Sequence, residues 1–289
     1  MPSSYTPKNL HNTIINYYDL SEPDYKLVLG LKKNMAMHYG YWDKSVHSLS
    51  GALAKENDVL ATKAKITKNS LVLDAGCGVG GSAIYLAKKY GCKVIGITLS
   101  SAQVSTAKKN ATKAGVAEKV KFYPMDYLKT TFKNKSFDVV WAIESVCHAE
   151  DKKAFIKEAH RLLKINGRLV VADGFFTKNS YTLKEDRLLR TWLNGWGVET
   201  LATVSDFSRD LKAYDFKNIT FTNIDRNIFP SSVWLYVWSL LGLTGGKLLG
   251  LIGFRNKIQS GNVIAANLQF RLLFRHLWEY GYFCAETMS

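Results

Sequence analysis

An acid, Asp74, stands two residues before the first of four closely spaced glycines, Gly76, Gly78, Gly80 and Gly81. The apolar run that begins at Leu71 leads into them, and Ser82–Tyr90 reads as a helix behind them. Strand, glycine turn and helix make the opening unit of a nucleotide-binding α/β domain, in which glycine lets the backbone approach a ligand and take φ > 0. A second pair of chemical groups follows the apolar run Phe137–Ile143: Glu144 and His148, a carboxyl and an imidazole. Both types move protons near neutral pH when their surroundings tune them. Ligands collect at the carboxyl ends of strands in open α/β sheets, which is where these two residues fall.

The turn also indicates which nucleotide it suits. The dinucleotide fingerprint G-x-G-x-x-G can be laid on Gly76, Gly78 and Gly81, but it usually keeps an acid at the end of the next strand to hold a ribose. Here that strand, Lys93–Thr98, runs into Leu99 and Ser100 without a carboxylate, which disfavours a dehydrogenase. An acid before a G-x-G-x-G turn instead resembles the S-adenosylmethionine site of class I methyltransferases. The resemblance extends to Gly96-Ile97-Thr98-Leu99-Ser100 with Gln103, to Met125-Asp126, to Ala142-Ile143-Glu144-Ser145 with His148, and upstream to Met37-His38-Tyr39-Gly40-Tyr41-Trp42. Together these landmarks are similar to the branch that holds sterol and tocopherol methyltransferases, over roughly residues 10–230.

That resemblance implies S-adenosylmethionine as cofactor and distributes roles along the chain. Gly76 and Gly78 would offer backbone to its methionine and ribose end, and Asp74 would serve its ammonium side; the alternative for Asp74 is that it only stabilises the turn. Thr98, Leu99 and Gln103 fall at the ribose, although Gln103 can equally turn back as the last member of a capping box with Ser100. Asp126 would accept from the adenine amino group, flanked by Met125 and Tyr127, with Ile143 and Glu144 completing the cofactor set. Tyr17, Tyr18 and Tyr39 would close over the methionine moiety, where aromatic faces also suit a sulfonium by about 0.5–2 kcal/mol. Core packing explains any one of these tyrosines nearly as well.

At the reacting end, Glu144 and His148 are the expected catalytic pair, and His38, Tyr41, Trp42, Trp192 and Trp196 the expected lining of the acceptor pocket. Methyl transfer is an in-line displacement in which orientation supplies much of the acceleration. An alkene acceptor would add a carbocation to be stabilised and then deprotonated. The Ile143–His148 segment closely resembles its sterol methyltransferase counterpart, which inclines the reading to C-methylation. Tocopherol and amine enzymes carry similar Glu-Ser-x-x-His patterns, so O- or N-methylation of a polar metabolite or alkaloid stays open. So does a cofactor-binding subunit without catalysis of its own.

Elements must position these groups. Strands read at Leu71–Asp74, Lys93–Thr98, Val120–Pro124, Phe137–Ile143 and Arg168–Gly174, with helices at Ser82–Tyr90, Ser101–Ala114 and Lys152–Leu163 between them. The alternation predicts an α/β, doubly wound, Rossmann-like sheet, mainly parallel. Phe216–Asp225 and Gly281–Thr287 bring the strands to seven and would supply the antiparallel edge usual in the family. Residues 1–60, with helix-like segments Asn12–Leu20 and Asp24–Lys33, form an N-terminal helical cap on a methyltransferase domain of residues 61–289. Residues 228–278 are too long for a loop and read as a helical lid inserted before the last strand. Ser100 and Asp151 are placed to cap helices, and Gly115 to end one.

Composition narrows the partners. Of 289 residues, 47% are hydrophobic and 12% aromatic, which excludes a disordered chain. The net charge of +15 raises nucleic acid as a partner, but the lysines are scattered in pairs such as Lys88–Lys89 and no recognition motif accompanies them. Nucleic acid is therefore not expected. Four cysteines without metal or disulfide spacing fit a reducing cytoplasm, and no metal site is expected. Met1–Asn12 lacks the apolar core of a signal peptide. Asn227–Gly246 carries no formal charge and is just long enough to span a bilayer, but Pro230, Gly242, Gly245 and Gly246 interrupt it, so a buried or interfacial lid is the better reading. The aromatic Phe229–Trp238 and the glycine-rich Leu240–Gly253 favour a bulky apolar acceptor, isoprenoid, sterol-like or quinol. With basic neighbours they also suggest peripheral contact with an anionic membrane. A homodimer through the insertion is implied by analogy with relatives.

Overall fold

The computed structural model describes residues 7–251 and 256–288, and side chains at residues 11–244 and 256–288. The helix α1 (Pro7–Val28), the short α2 (Leu31–Asn34) and α3 (Leu49–Lys63) precede the first strand. Alternation then runs β1 (Leu71–Ala75), α4 (Gly81–Tyr90), β2 (Lys93–Thr98), α5 (Ser101–Lys113), β3 (Val120–Pro124), β4 (Phe137–Ile143), α6 (Lys152–Leu162) and β5 (Leu163–Phe176). The chain closes with α7 (Leu183–Gly195), α8 (Val204–Ala213), β6 (Phe216–Asn223), α9 (Asp225–Leu251), α10 (Lys257–Phe274) and β7 (Trp278–Thr287).

The seven strands lie in the order β3-β2-β1-β4-β5-β7-β6. The first five are parallel, and β7 enters antiparallel to both β5 and β6. This is the doubly wound, Rossmann-like sheet expected from the β-α alternation. Its central strands are apolar throughout because both faces are covered. Val72, Val139, Trp141 and Val170 point into one core, while Leu73, Val140, Leu169 and Val171 point into the other. Strand order reverses between β2-β1 and β4, so the ends of β1 and β4 flank the crevice where such folds hold ligands.

Local signals hold at the ends of elements. The Ser100 hydroxyl accepts from the Gln103 amide, Asp151 accepts from the amides of Lys153 and Ala154, and Gly115 takes φ +72. Three expectations differ. The first expected N-terminal segment and the start of the second are one helix through Pro23, because continuing it keeps Ile14, Tyr17 and Ser21 on a single buried face; the lost hydrogen bond at proline is outweighed by that packing. The rest of the second, beyond Gly30 at φ +61, is the separate α2. The fifth strand begins at Leu163 rather than Arg168, taking in Asn166 at φ +60 with a register shift against β4. The seventh begins three residues earlier, at Trp278, where β5 continues to pair with it.

Between β6 and β7, α9 and α10 pack against each other and carry the chain over the α7 side of the sheet. The expected Leu240–Gly253 stretch runs partly outside the described residues, as does the start of Met1–Asn12. Among the described residues, no helix is long and apolar enough to cross a membrane.

Candidate active site

Backbone conformation shapes the turn after β1. Gly76, Gly78 and Gly80 have φ of +94, +50 and +88. A Cβ on Gly76 would overlap Ser145 Cβ, and one on Gly81 would overlap the Met35 carbonyl. The turn is thus pressed against the residue that follows Glu144 on one side and against the loop before α3 on the other. Ser145 fixes the first contact by donating its hydroxyl to the Ala75 carbonyl at 2.6 Å.

A cavity of about 870 Å³ opens over this turn. Ten of the expected cofactor residues line it: Asp74, Gly76 and Gly78 from the turn, Thr98, Leu99 and Gln103 after β2, Ile143 and Glu144 after β4, and Tyr18 and Tyr127 over them. Tyr17, Tyr39, Met125 and Asp126 are not brought into its wall. Tyr17 turns its hydroxyl to Tyr25 and Asn262, and Tyr39 donates to Gln269 Oε1 at 2.8 Å. Asp126 caps its own turn at the Leu128 amide and stands 3.3 Å from His11 Nε2 of α1. Gln103 does not close the capping box; its Oε1 accepts the Thr98 hydroxyl at 2.6 Å, so both side chains stay at the cavity edge.

Asp74 is 4% exposed, and among the described residues its Oδ2 has no hydrogen-bond partner. Burial pushes its pKa up to about 7, against the pull of the Ala83 amide and the His38 charge. An unsatisfied buried carboxylate oxygen is costly, and its presence in a cavity wall fits a site that meets a hydrogen-bond donor from a ligand. A glycine turn open to backbone approach, the Thr98–Gln103 pair and this oxygen are the donor and acceptor set an amino-acid nucleoside needs.

Glu144 lies at a junction. It lines the first cavity, a second of about 1120 Å³ under α9 and α10, and a third of about 520 Å³ walled by Trp192, Trp196 and Trp278. Its φ is +45, uncommon for a side chain larger than asparagine, a strain that places the carboxyl where β4 ends. Oε1 accepts the Tyr39 amide at 2.6 Å and lies 2.9 Å from the Tyr280 hydroxyl oxygen. Burial, with the charges of Glu56 and Asp173, overcomes the His38 charge and the Tyr39 amide to push its pKa up to about 8. A carboxyl with that value can both take and return a proton near neutrality.

His148 is differently placed. Its Nδ1 faces the Gly197 carbonyl at 3.1 Å and so carries the proton, leaving Nε2 to accept the Tyr18 hydroxyl at 2.8 Å. Burial lowers its pKa to about 4, so it is neutral. In this arrangement its lone pair is engaged by Tyr18 rather than open to an acceptor.

Of the residues expected around the acceptor, His38 lines the first and second cavities, Trp196 the second and third, and Trp192 the third. Tyr41 and Trp42 lie outside all three walls; Trp42 donates its Nε1 to Ser231 Oγ and ties the loop to α9. Two buried groups went unnoticed in the sequence. Glu56, on α3, meets His38 Nδ1 at 2.9 Å, and Tyr280, on β7, stands between Glu56 and Glu144. Glu56 was legible in principle, because Ala52, Glu56 and Leu60 recur every four residues on the buried face of α3.

Residues 73–171 match the family described as a methyltransferase domain. Over 222 residues the chain is 36% identical to a sterol 24-C-methyltransferase of Saccharomyces cerevisiae, covering 71% of this chain and 58% of that protein. Over 215 residues it is 34% identical to a 2-methyl-6-phytyl-1,4-hydroquinone methyltransferase of Synechocystis, covering 70% and 64%. The chain thus spans about three-fifths of the length of these curated relatives. Its fold matches the cyclopropane synthase MmaA2 of Mycobacterium tuberculosis with a TM-score of 0.82 at 16% identity, over 99% of this chain and all of that one. With the acid-and-glycine turn at the end of β1 and the seven-stranded sheet, these matches show that the chain belongs to the class I S-adenosylmethionine-dependent methyltransferases, in the branch of the sterol and tocopherol enzymes.

Proposed function

We propose that this protein transfers a methyl group from S-adenosylmethionine to a lipophilic acceptor, with C-methylation the favoured outcome. The observation that carries the reading is the meeting of two cavities at Met37, His38 and Glu144. One is walled by the glycine turn and polar side chains. The other is walled mainly by Leu27, Val28, Leu235, Trp238, Leu241 and Val263. The cofactor, when bound, supplies an electrophilic methyl on a sulfonium. Asp74 would take its ammonium side, Thr98 and Gln103 its ribose, and the Gly76–Gly78 backbone its methionine end. The second cavity has the size and lining for an isoprenoid, sterol-like or quinol acceptor.

At the junction, Tyr25, Tyr39 and Trp196 offer aromatic faces to a developing cation, and Glu144 offers a carboxyl to remove a proton afterwards. A fixed phenol and carboxylate environment aimed at developing charge is worth more in a buried site than in water. The apolar wall weighs against a small polar acceptor. Incubating the protein with methyl-labelled cofactor and a panel of prenyl, sterol, quinol and amine acceptors, followed by mass spectrometry of the product, tests this. Labelling confined to polar amines would refute the lipophilic reading, and Glu144→Gln is expected to lower turnover more than cofactor binding.

The same acceptor class supports peripheral contact with an anionic membrane. The sides of α9 are inverted for a helix in water: Ser231, Ser232 and Ser239 are buried, whereas Phe229, Trp234, Val237, Leu240 and Leu241 are exposed. Exposed Leu27 and Leu241 also line the second cavity, so the apolar face surrounds its wall. Across residues 225–275 the charges are Arg226, Lys247, Arg255, Lys257, Arg271 and Arg275 against Asp225 alone. Flotation with phosphatidylserine vesicles at low salt should carry the protein, and Trp234→Glu with Leu241→Glu should abolish it. No flotation, or a homodimer in solution that covers these residues, would remove the membrane contact.

A further inference from the structure

Glu56 lies in none of the three cavity walls and is 0% exposed, yet it is two hydrogen bonds from Glu144. The link is the Tyr280 hydroxyl, 3.0 Å from Glu56 Oε1 and 2.9 Å from Glu144 Oε1. A hydroxyl carries one proton, which lies fully along only one of the two contacts at a time. A second proton on one of the two carboxyl groups would satisfy the other contact. On its other side, Glu56 Oε2 meets His38 Nδ1 at 2.9 Å. The same nitrogen faces the Tyr39 carbonyl at 2.6 Å, so it carries hydrogen. Burial alone would lower the His38 pKa, but the Glu56 charge outweighs it and holds the imidazole at about 9. At rest His38 is a cation held against the Glu56 carboxyl, and Glu144, whose pKa is raised to about 8, carries the spare proton.

Other groups face Glu144 as well. Asp173 of β5 opposes its ionisation, and the Tyr39 amide and His38 favour it. Tyr18 and Tyr25 of α1, and Cys147 and His148 after β4, line the space beside it as neutral groups. Glu144 is the carboxyl of the pair that borders the first cavity; Glu56 is not.

We infer that Glu56 and Glu144 share one proton through Tyr280, and that a cation placed in the first cavity moves this proton from Glu144 to Glu56. The Oε1–H bond of Glu144 breaks as the Tyr280 oxygen takes that proton, and the Tyr280 O–H bond breaks as Glu56 Oε1 takes the other. Nothing is oxidised or reduced, and net charge is conserved. Glu144 is left as a carboxylate able to accept a proton from the acceptor, with Oε2 unengaged by any hydrogen bond among the described residues. Glu56 acts as a positioning residue for that proton. The role rests on the cofactor reading proposed above. It keeps the carboxyl that borders the cavity neutral until a sulfonium arrives, so that the pair's one negative charge moves to Glu144 only when a cation is there to offset it.

The test is carbon-13 spectroscopy of the full chain with its glutamate side-chain carboxyls labelled, near pH 7. Without ligand, one protonated carboxyl is expected from this pair, lost in Glu144→Gln and kept in Glu56→Gln. Adding S-adenosylmethionine should move the protonated signal to Glu56, whereas S-adenosylhomocysteine, which lacks the sulfonium charge, should leave it on Glu144. In Tyr280→Phe it should stay on Glu144 with either ligand. Two ionised carboxyls in the ligand-free protein would overturn the shared proton, and needs no variant to be seen. A signal that stays on Glu144 with S-adenosylmethionine bound, or moves equally with both ligands, would overturn the cation-driven transfer. Calorimetry on the same samples separates the two readings: no heat from either ligand refutes the cofactor assignment and the transfer with it, while the ligand-free spectrum still decides the shared proton.

Discussion

Gly76→Ala probes the packing that joins the glycine turn after β1 to the end of β4. At φ +94 an L side chain is strained, by roughly 1–2 kcal/mol for the left-handed region. The added methyl would also overlap Ser145 Cβ and stand 2.9 Å from Ser145 Oγ. Ser145 has little freedom to yield, since its hydroxyl is bonded to the Ala75 carbonyl. Overpacking of this kind costs about 1–3 kcal/mol. Together they predict a loss of roughly 2–5 kcal/mol, or about 4–20 °C in Tm for a chain of this size. Gly115→Ala supplies the control, because Gly115 has φ +72 but nothing within 4 Å of its added methyl. It should lose only the conformational part, about 1–2 kcal/mol. Thermal and urea unfolding of both variants, with the double variant Gly76→Ala, Ser145→Gly, measures the difference. The double variant should recover about 1–3 kcal/mol through coupling of touching residues. Equal losses at Gly76 and Gly115, or no recovery in the double variant, would show that the turn and Ser145 are not in contact as described.

Glu144 has a folded pKa of about 8 against an ordinary value of 4.5, so the folded chain binds its proton more tightly. Its neutral form is the stable one, and stability should fall as pH rises from about 5 through about 8. Glu144→Gln should flatten the profile of Tm against pH below about 6.5, leaving the decline from about pH 6.5 through about 9 that belongs to His38, whose pKa is also raised. Asp74→Asn removes a buried charge whose pKa is already about 7, so it should leave stability at pH 8 unchanged or higher. At the same time it should weaken S-adenosylhomocysteine by tenfold or more, about 1.4 kcal/mol or above, by calorimetry. Gln103→Ala, which removes one polar partner at the cavity edge, should cost about 0.5–1.5 kcal/mol, roughly 2- to 12-fold in Kd for the same ligand; an unchanged Kd would return Gln103 to a purely local role with Thr98.

Much of this molecule follows from interactions between residues close in sequence. The acid-and-glycine turn is read from Asp74 to Gly81 because φ > 0 and backbone approach are properties of the glycines themselves. The sheet is read from apolar runs separated by helical periodicity. The caps at Ser100 and Asp151 are read from side chains that reach amides two or three residues away. Where two local possibilities competed, neighbours settled them: Gln103 bonds Thr98 rather than completing its box, and α1 continues through Pro23 to keep one packed face.

What only the tertiary structure decided is which groups share a proton or a wall. Glu56, Glu144 and Tyr280 sit on α3, after β4 and on β7, and no spacing rule connects positions 56, 144 and 280. Their meeting depends on β7 entering between β5 and β6, where its β5 partners lie more than a hundred residues away in sequence. The same long-range packing gives His148 to Tyr18, gives Trp42 to Ser231, and turns Tyr17 and Tyr39 away from the cavity they were expected to close. Sequence determined the chemical types and the local bends that present them. Burial and cross-chain hydrogen bonding, which exist only once the chain has closed on itself, decided which of those types became acids, bases or partners.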